Sequence, residues 1–235
     1  MKAIILAAGL GRRLRQIIDM PKCLLKIKDS SLIQRYILSL GDYGLKEMVI
    51  VVGYKKDSII KEVKKFKDLI KIKIINNPDF SKGSILSLWR ARNELGQDTL
   101  LIDGDVYFES RVVKKIFSSK KKNFFLIDTS LKDDPEAVMV GFRNKQAVAL
   151  GRGLKGKYDV LGEWAGFLRL STSASRSLKK IIERRVKGGD RDTGYEFIVP
   201  ELFKKSPISY ELVDGLNWVE IDFPRDLKRA RLCRA

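Results

Sequence analysis

Three short stretches of this chain carry residue types that could do chemistry together. The first runs from Ala3 to Lys22. An apolar segment, Ile4-Ile5-Leu6, breaks into Ala7-Ala8-Gly9-Leu10-Gly11-Arg12-Arg13-Leu14, and Pro21-Lys22 follows shortly after. A strand that ends in glycines leaves backbone N–H groups free to converge on one point, and an anion fits such a nest. Arg13 supplies a bidentate fork for phosphate and Lys22 a mobile point charge. The second stretch is Asp103-Gly104-Asp105, two carboxylates across a glycine at the end of the apolar run Thr99 to Ile102. Carboxylate oxygens of this kind suit a hard cation such as Mg²⁺. The third is Trp218-Val219-Glu220-Ile221-Asp222-Phe223-Pro224, where an aspartate stands just ahead of a proline that can open a helix. Each stretch also has a plainer reading. Small residues can simply allow tight strand-to-loop packing, Asp103 to Asp105 can be an acidic turn, and Asp222 can be a helix-entry aspartate. A dinucleotide fingerprint fits poorly, because its third glycine would fall at Leu14.

The elements that must position these residues read as alternating strands and helices. Ala3 to Leu6, with its run Ile4-Ile5-Leu6, has the apolar, β-branched character of a strand buried on both faces; Met48 to Val52 reads as a second buried strand, and Ile72 to Ile75 and Thr99 to Ile102 as a third and a fourth. Cys23 to Ile27 reads as a further short strand. Between the strands, Leu32, Ile33, Tyr36, Ile37 and Leu40 recur at helical spacing behind a Ser31 cap. Ile59, Ile60, Val63 and Phe66 mark a second helix, and Ile85, Leu88, Trp89 and Leu95 a third. Alternation of this kind predicts a parallel sheet with right-handed crossovers. It also brings the loops after successive strands, including the polar loop Phe80 to Ser84, to one edge of that sheet. Farther on, Asn123 to Ile127 reads as a strand and Val138 to Phe142 with Ala147 to Leu150 as a hairpin. Phe167 to Leu170 and Ile208 to Val213 read as strands, Ser171 to Val186 as an amphipathic helix, and Tyr195 to Phe203 as another. The fold class expected is therefore α/β, a mixed, mostly parallel Rossmann-like sheet flanked by helices, with a smaller β-rich insertion. One domain is expected over 1–235, with a nucleotide-binding half at about 1–120 and an acceptor-binding part at about 121–222.

Composition narrows the functional classes. The 235 residues carry 47 Lys and Arg against 29 Asp and Glu, a formal net charge of +18, with no histidine. Zinc sites of the usual Cys/His type are excluded. Cys23 and Cys233 stand at opposite ends, which fits a reducing compartment and a cytoplasmic location. No run approaches the roughly 20 apolar residues of a membrane span, and the N-terminus lacks the layout of a signal peptide. The excess positive charge fits a solvated lysine face, attraction of anionic phosphates, or contact with nucleic acid or an acidic membrane.

Leu6 to Leu14 with Pro21-Lys22 resembles the opening LAAGxGxRL signature of the nucleotidyltransferases that join a sugar phosphate or alcohol phosphate to a nucleoside triphosphate. Arg12 departs from the Ser or Thr usual at its position. Trp218 to Leu227 resembles that family's closing motif, and Asn77, Phe80, Gly83, Ser84 and Ser87-Leu88 partly match a pattern of cytidylyltransferases acting on choline phosphate and inositol phosphate. The resemblance implies a GT-A-like fold, with Leu6, Ala7, Ala8, Gly9, Gly11, Arg13, Lys22, Asn77, Gly83, Ser84 and Asp103 at the nucleotide. It implies Arg13 and Lys22 as catalytic residues, Lys22, Glu163 and Gly166 at the acceptor, and Mg²⁺ held by Asp105 and Asp222. On residues alone, Glu163 also reads as a surface charge and Trp164 as core. The partners implied are CTP, or another nucleoside triphosphate, and a phosphorylated alcohol, with inositol 1-phosphate favoured and CDP-inositol plus pyrophosphate as products. A membrane-bound synthase is a further implied partner, and nucleic acid is not expected. The alternative enzyme makes a nucleotide sugar from a sugar 1-phosphate. An alternative of another class is a non-catalytic basic nucleic-acid-binding or regulatory module.

Overall fold

The first strand, β1 (Lys2–Ala7), sends alternate residues to opposite sides, as a period of two requires. Ala3, Ile5 and Ala7 enter one hydrophobic core, and Ile4 enters another. The computed structural model describes residues 1–15, 17–130 and 134–233. In chain order β1 is followed by α1 (Arg12–Arg15), β2 (Lys26–Ile27), β3 (Ser30–Ser31), α2 (Leu32–Asp42), β4 (Glu47–Val52), α3 (Lys56–Val63) and β5 (Lys71–Asn76). Then come α4 (Ile85–Arg90), β6 (Thr99–Asp103), β7 (Val106–Phe108), α5 (Ser110–Ser118), β8 (Phe124–Asp128), β9 (Met139–Arg143), β10 (Gln146–Gly151) and β11 (Val160–Leu170). The chain closes with α6 (Thr172–Lys187), α7 (Pro200–Phe203), β12 (Ser209–Leu212), β13 (Trp218–Glu220) and α8 (Pro224–Leu232).

The main sheet runs β10-β9-β11-β6-β1-β4-β5, and β8 joins β11 to β12. β5, β4, β1 and β6 are parallel, β11 is antiparallel to β6, and β12 is parallel to β8. The mixed, mostly parallel α/β sheet expected from the sequence is what the chain forms. Residues of α2, α3, α5 and α8 cover one face, and those of α4, α6 and α7 the other. Among the described residues, no helix is long and apolar enough to cross a membrane.

Several local readings need correcting. Residues 22–24 form a 3₁₀ turn rather than a strand, because Pro21 sets the backbone angle and its carbonyl accepts from Leu24 N at 2.9 Å. The helix expected over Tyr195 to Phe203 is a 3₁₀ turn over Tyr195–Ile198 followed by α7, which Pro200 opens at its first turn. The helix through Leu95 gives way to a 3₁₀ turn after Ala91. β11 begins at Val160, well before Phe167, and its pairing with β8 shifts register between Trp164 and Leu168. The Ser31 cap of α2 is a reciprocal capping box: Ser31 Oγ accepts from Gln34 N and Gln34 Oε1 from Ser31 N.

Candidate active site

The glycine loop leaves β1 at the edge where β4 and β6 also end. Two other glycines allow the close packing there. A Cβ on Gly104 would lie 2.6 Å from Leu6 O, and one on Gly53 would lie 2.8 Å from Ala8 O. Gly104 N donates to Leu6 O and Tyr54 N to Ala8 O, which ties the three strand ends together.

A two-stranded ribbon brings the distant carboxylates to the same edge. β13 pairs antiparallel with β7, Glu220 opposite Val106, and Ile221 N donates to Asp105 O at 3.0 Å. Asp105 precedes one strand and Asp222 follows the other, so both leave the ribbon at the same end. Asp226 fixes the exit: its Oδ2 accepts from Asp222 N at 3.1 Å and Phe223 N at 2.7 Å, while Pro224 opens α8. Carboxylate oxygens of Asp105, Glu220 and Asp222 lie within 4.8 Å of one another. Lys22 Nζ sits between two of them, 2.8 Å from Asp105 Oδ2 and 2.5 Å from Asp222 Oδ1. Arg13 reaches Asp222 at 3.1 Å and Glu136 at 2.8 Å, with its guanidinium 4.7 Å from the centre of the Phe223 ring.

These groups open into a cleft of about 220 Å³. Of the residues expected at the nucleotide, Leu6, Ala7, Ala8, Gly9, Gly11, Lys22, Ser84 and Asp103 line it; Asp105 and Asp222 line it too. Arg13 stands at its rim, with the side chain 43% exposed. Asn77 is fully buried and acts one step back: its Nδ2 donates to Ser87 Oγ at 3.0 Å, and Ser87 lines the cleft. Gly83 is packed against the 191–193 backbone, donating to Arg191 O, with no room for a Cβ beside Asp192. Gly166 has φ +78°, and a Cβ there would meet Val106 Cγ2 at 2.6 Å, so its glycine serves the β11 bulge. Glu163 faces a separate small pocket with Asp134, Glu136 and Asp226, on the other side of Glu220 and Asp222.

The cleft also gathers residues to which sequence reasoning assigned no role there. Tyr195 Oη donates to Asp103 Oδ1 at 2.7 Å, and Ser84 Oγ accepts from Tyr195 N at 2.8 Å. Glu196, Glu136, Arg152 and Lys82 complete the wall, with Trp164 packed edge-on to Tyr195 at 5.8 Å. Arg152 Nε donates to Glu136 O. Glu220 had a legible signal: it stands two residues before Asp222, the spacing that puts strand neighbours on one face.

The electrostatics follow from this crowding. Burial pulls the Lys22 ammonium down, but the charges of Asp105 and Asp222 outweigh it and hold its pKa above the ordinary lysine value. Burial pushes Asp222 up, but Lys22 and Arg13 more than reverse this, so it ends below the usual carboxylate range. Burial and the neighbouring Asp105 charge push Asp103 and Glu220 well above that range, and burial raises Glu196. The site thus holds an Asp222 carboxylate paired to Lys22 and Arg13 beside carboxyls that resist ionisation. Three hard oxygen donors from Asp105, Glu220 and Asp222 fit a Mg²⁺ ion.

Residues 3–161 match the family described as the MobA-like NTP transferase domain. The chain is 27% identical over 233 residues to a bifunctional IPC transferase and DIPP synthase of Thermococcus kodakarensis, covering 98% of this chain and 50% of that protein. It is 25% identical over 237 residues to the choline-phosphate cytidylyltransferase of Streptococcus pneumoniae, covering 97% and 96%. The chain spans about half the length of the first curated relatives it matches. Its fold is similar to the solved CTP:phosphocholine cytidylyltransferase from Streptococcus pneumoniae (TM-score 0.78, 21% identity, 98% and 97% of the two chains). It is similar also to the inositol-1-phosphate CTP transferase from T. maritima (TM-score 0.77, 20% identity, 100% and 97%). With a glycine loop at the end of β1 and a match that takes in the strands around it, the chain belongs to the MobA-like NTP transferase domain family and is a nucleotidyltransferase.

Proposed function

We propose that this chain transfers CMP from CTP to a phosphorylated alcohol, inositol 1-phosphate, giving CDP-inositol and pyrophosphate. The observation that carries the reading is the meeting of Lys22, Asp105, Glu220 and Asp222 beside the glycine loop in one cleft. The choice of base and acceptor is supported by relatives named as IPC transferase and choline-phosphate cytidylyltransferase, and by the resemblance of the Phe80–Leu88 region.

In this reading the nucleotide-binding half covers about 1–120 and the acceptor part about 121–222. Backbone N–H groups around Gly9 and Gly11 cradle the triphosphate, and Arg13 at the rim adds a fork to its phosphates. Asp105 and Asp222, with Glu220, would hold Mg²⁺, which when bound neutralises charge on the phosphates. Lys22 stands where the α-phosphate and the acceptor phosphate meet. An acceptor phosphate oxygen bonds to the α-phosphorus while the bond from that phosphorus to the bridging oxygen of pyrophosphate breaks. The nucleophile is largely ionised at neutral pH, since a phosphate monoester has its second pKa near about 6. No general base is required, which accords with a cleft free of histidine. The protein's part is to hold two anions in line and to offset the developing charge.

One observation favours a second acceptor. The chain matches the choline-phosphate cytidylyltransferase of Streptococcus pneumoniae over 96% of that protein's length. Choline phosphate is therefore the second reading. The test is pyrophosphate release with Mg²⁺, each of the four nucleoside triphosphates, and inositol 1-phosphate, choline phosphate or glucose 1-phosphate. The proposal expects CTP with inositol 1-phosphate to be fastest. A preference for another triphosphate, or for glucose 1-phosphate, would overturn it.

A further inference from the structure

The end of the sheet opposite the cleft gathers a row of exposed lysines. β5, β4, β1, β6, β8 and β12 all point the same way, so the segments that enter them share one edge. Those segments are lysine-rich. Lys46 precedes β4; Lys64, Lys65 and Lys67 lead towards β5; Lys120 to Lys122 lead into β8; Lys204 and Lys205 lead towards β12; and all are exposed. Lys65 is paired with Glu62 and Lys121 with Glu211. Some acids of the same edge are committed, while Asp42 and Asp68 stand exposed among the lysines. Glu94 is enclosed by Lys2 and Lys73, and Asp98 accepts from Thr172 N and Oγ1. Near β6 and β8 the lysines join Arg169 and Arg176 around one open bay. With β11 in its place, seven strands lie side by side here, a row about 29 Å wide at the usual strand spacing.

The two ends of the strands differ in composition. The cleft edge mixes Asp103, Asp105, Glu136, Glu196, Glu220 and Asp222 with Lys22, Lys82 and Arg152, whereas the entry edge is dominated by exposed lysines. Two apolar side chains project among those lysines. Leu69 is 67% exposed in the segment leading to β5, and Tyr43, in the turn before β4, is 37% exposed and stacks on Phe117.

We propose that this strand-entry edge docks on an anionic phospholipid bilayer, with the catalytic cleft turned away from it. A broad row of ammonium groups suits a plane of lipid phosphates, each contributing attraction near the surface. Leu69 and Tyr43 suit the interfacial layer, where an aliphatic group and an amphipathic ring both find their medium. A nucleic-acid strand would instead call for stacked aromatics along a groove, and the two apolar groups here stand apart with lysines between them.

The test is co-sedimentation with vesicles of phosphatidylcholine alone or with about one third phosphatidylglycerol, at about 0.1 M salt. Wild type should bind only the anionic vesicles. Reversing Lys64, Lys67, Lys120 and Lys122 to Glu should weaken binding by at least about tenfold. The reversals Lys56→Glu, Lys145→Glu, Lys155→Glu and Lys187→Glu, on exposed lysines elsewhere, change net charge equally and should leave it nearly as it was. Leu69→Ser should weaken vesicle binding without altering retention of a duplex oligonucleotide. Equal losses in the two quadruple variants would mean that only overall charge acts and would overturn the proposal. So would absence of anionic-vesicle binding, or oligonucleotide binding that outcompetes vesicles and is lost in the edge variant.

Discussion

Lys22 is the residue on which the cleft's charges balance. Its ammonium touches Asp105 and Asp222, and all three face the glycine loop. Replacing it with Met removes a charge-assisted contact that the transition state needs, at a cost of about 3 kcal/mol, or roughly a hundredfold in kcat. Lys22→Arg keeps the charge but not the compact ammonium, so it should recover only part of that loss. Steady-state kinetics separate the two variants. Glu220 behaves with the opposite sign to Asp222. Asp222, held low by Lys22, adds stability that is present above the ordinary aspartate pKa and is lost as pH falls through its folded value. Glu220, held high by burial, removes stability as pH rises from the ordinary glutamate value through its own. Glu220→Gln should therefore raise the melting temperature in metal-free buffer at pH 8 by a few degrees, where about 1 kcal/mol is worth roughly 2–4 °C in a chain of this size. The gain should shrink towards pH 5, and the stabilisation conferred by added Mg²⁺ should fall. A melting temperature that drops at pH 8 and keeps its full response to Mg²⁺ would remove Glu220 from the metal set.

The elements that matter most are strand ends. β1, β4 and β6 finish together because glycines let their following loops touch, and the β7–β13 ribbon adds the second carboxylate. Gly104→Ala places a methyl group 2.6 Å from Leu6 O and should cost about 1–3 kcal/mol in urea denaturation. Gly9→Ala meets nothing within 4 Å and should leave stability within about 0.5 kcal/mol while weakening nucleotide binding. The same contrast explains what the sequence made legible. β1, β4 and β6 could be read because two-sided burial demands apolar runs, and Asp105 and Asp222 because each sits in a short local pattern. Glu136, Arg152 and Glu196 could not, since each reaches the cleft through long-range packing that no local spacing records. Tyr195, for instance, is placed by Ser84, more than a hundred residues earlier. Glu163 and Gly166 sit in a suggestive run; Gly166 lies within the β11 bulge, where a Cβ would meet Val106, and Glu163 faces a neighbouring pocket.

Across the whole molecule, a cleft that mixes carboxyls with Lys22, Lys82 and Arg152 is set in a chain of net charge +18. The long-range field draws anionic substrates in, yet carboxylates at the cleft floor oppose a bare triphosphate. Chelation of divalent cations should therefore weaken CTP binding by at least about tenfold, the scale of one lost charge interaction near 1.4 kcal/mol, as titration calorimetry with and without EDTA would register. Unchanged affinity would mean that Lys22 and Arg13 suffice without a metal. The most direct measurement of the central claim is pyrophosphate release by wild type, Asp105→Ala and Asp222→Ala at saturating Mg²⁺ and substrates. Turnover should fall about a hundredfold or more in each variant while the fold persists. Turnover near the wild-type rate in either variant would contradict the account.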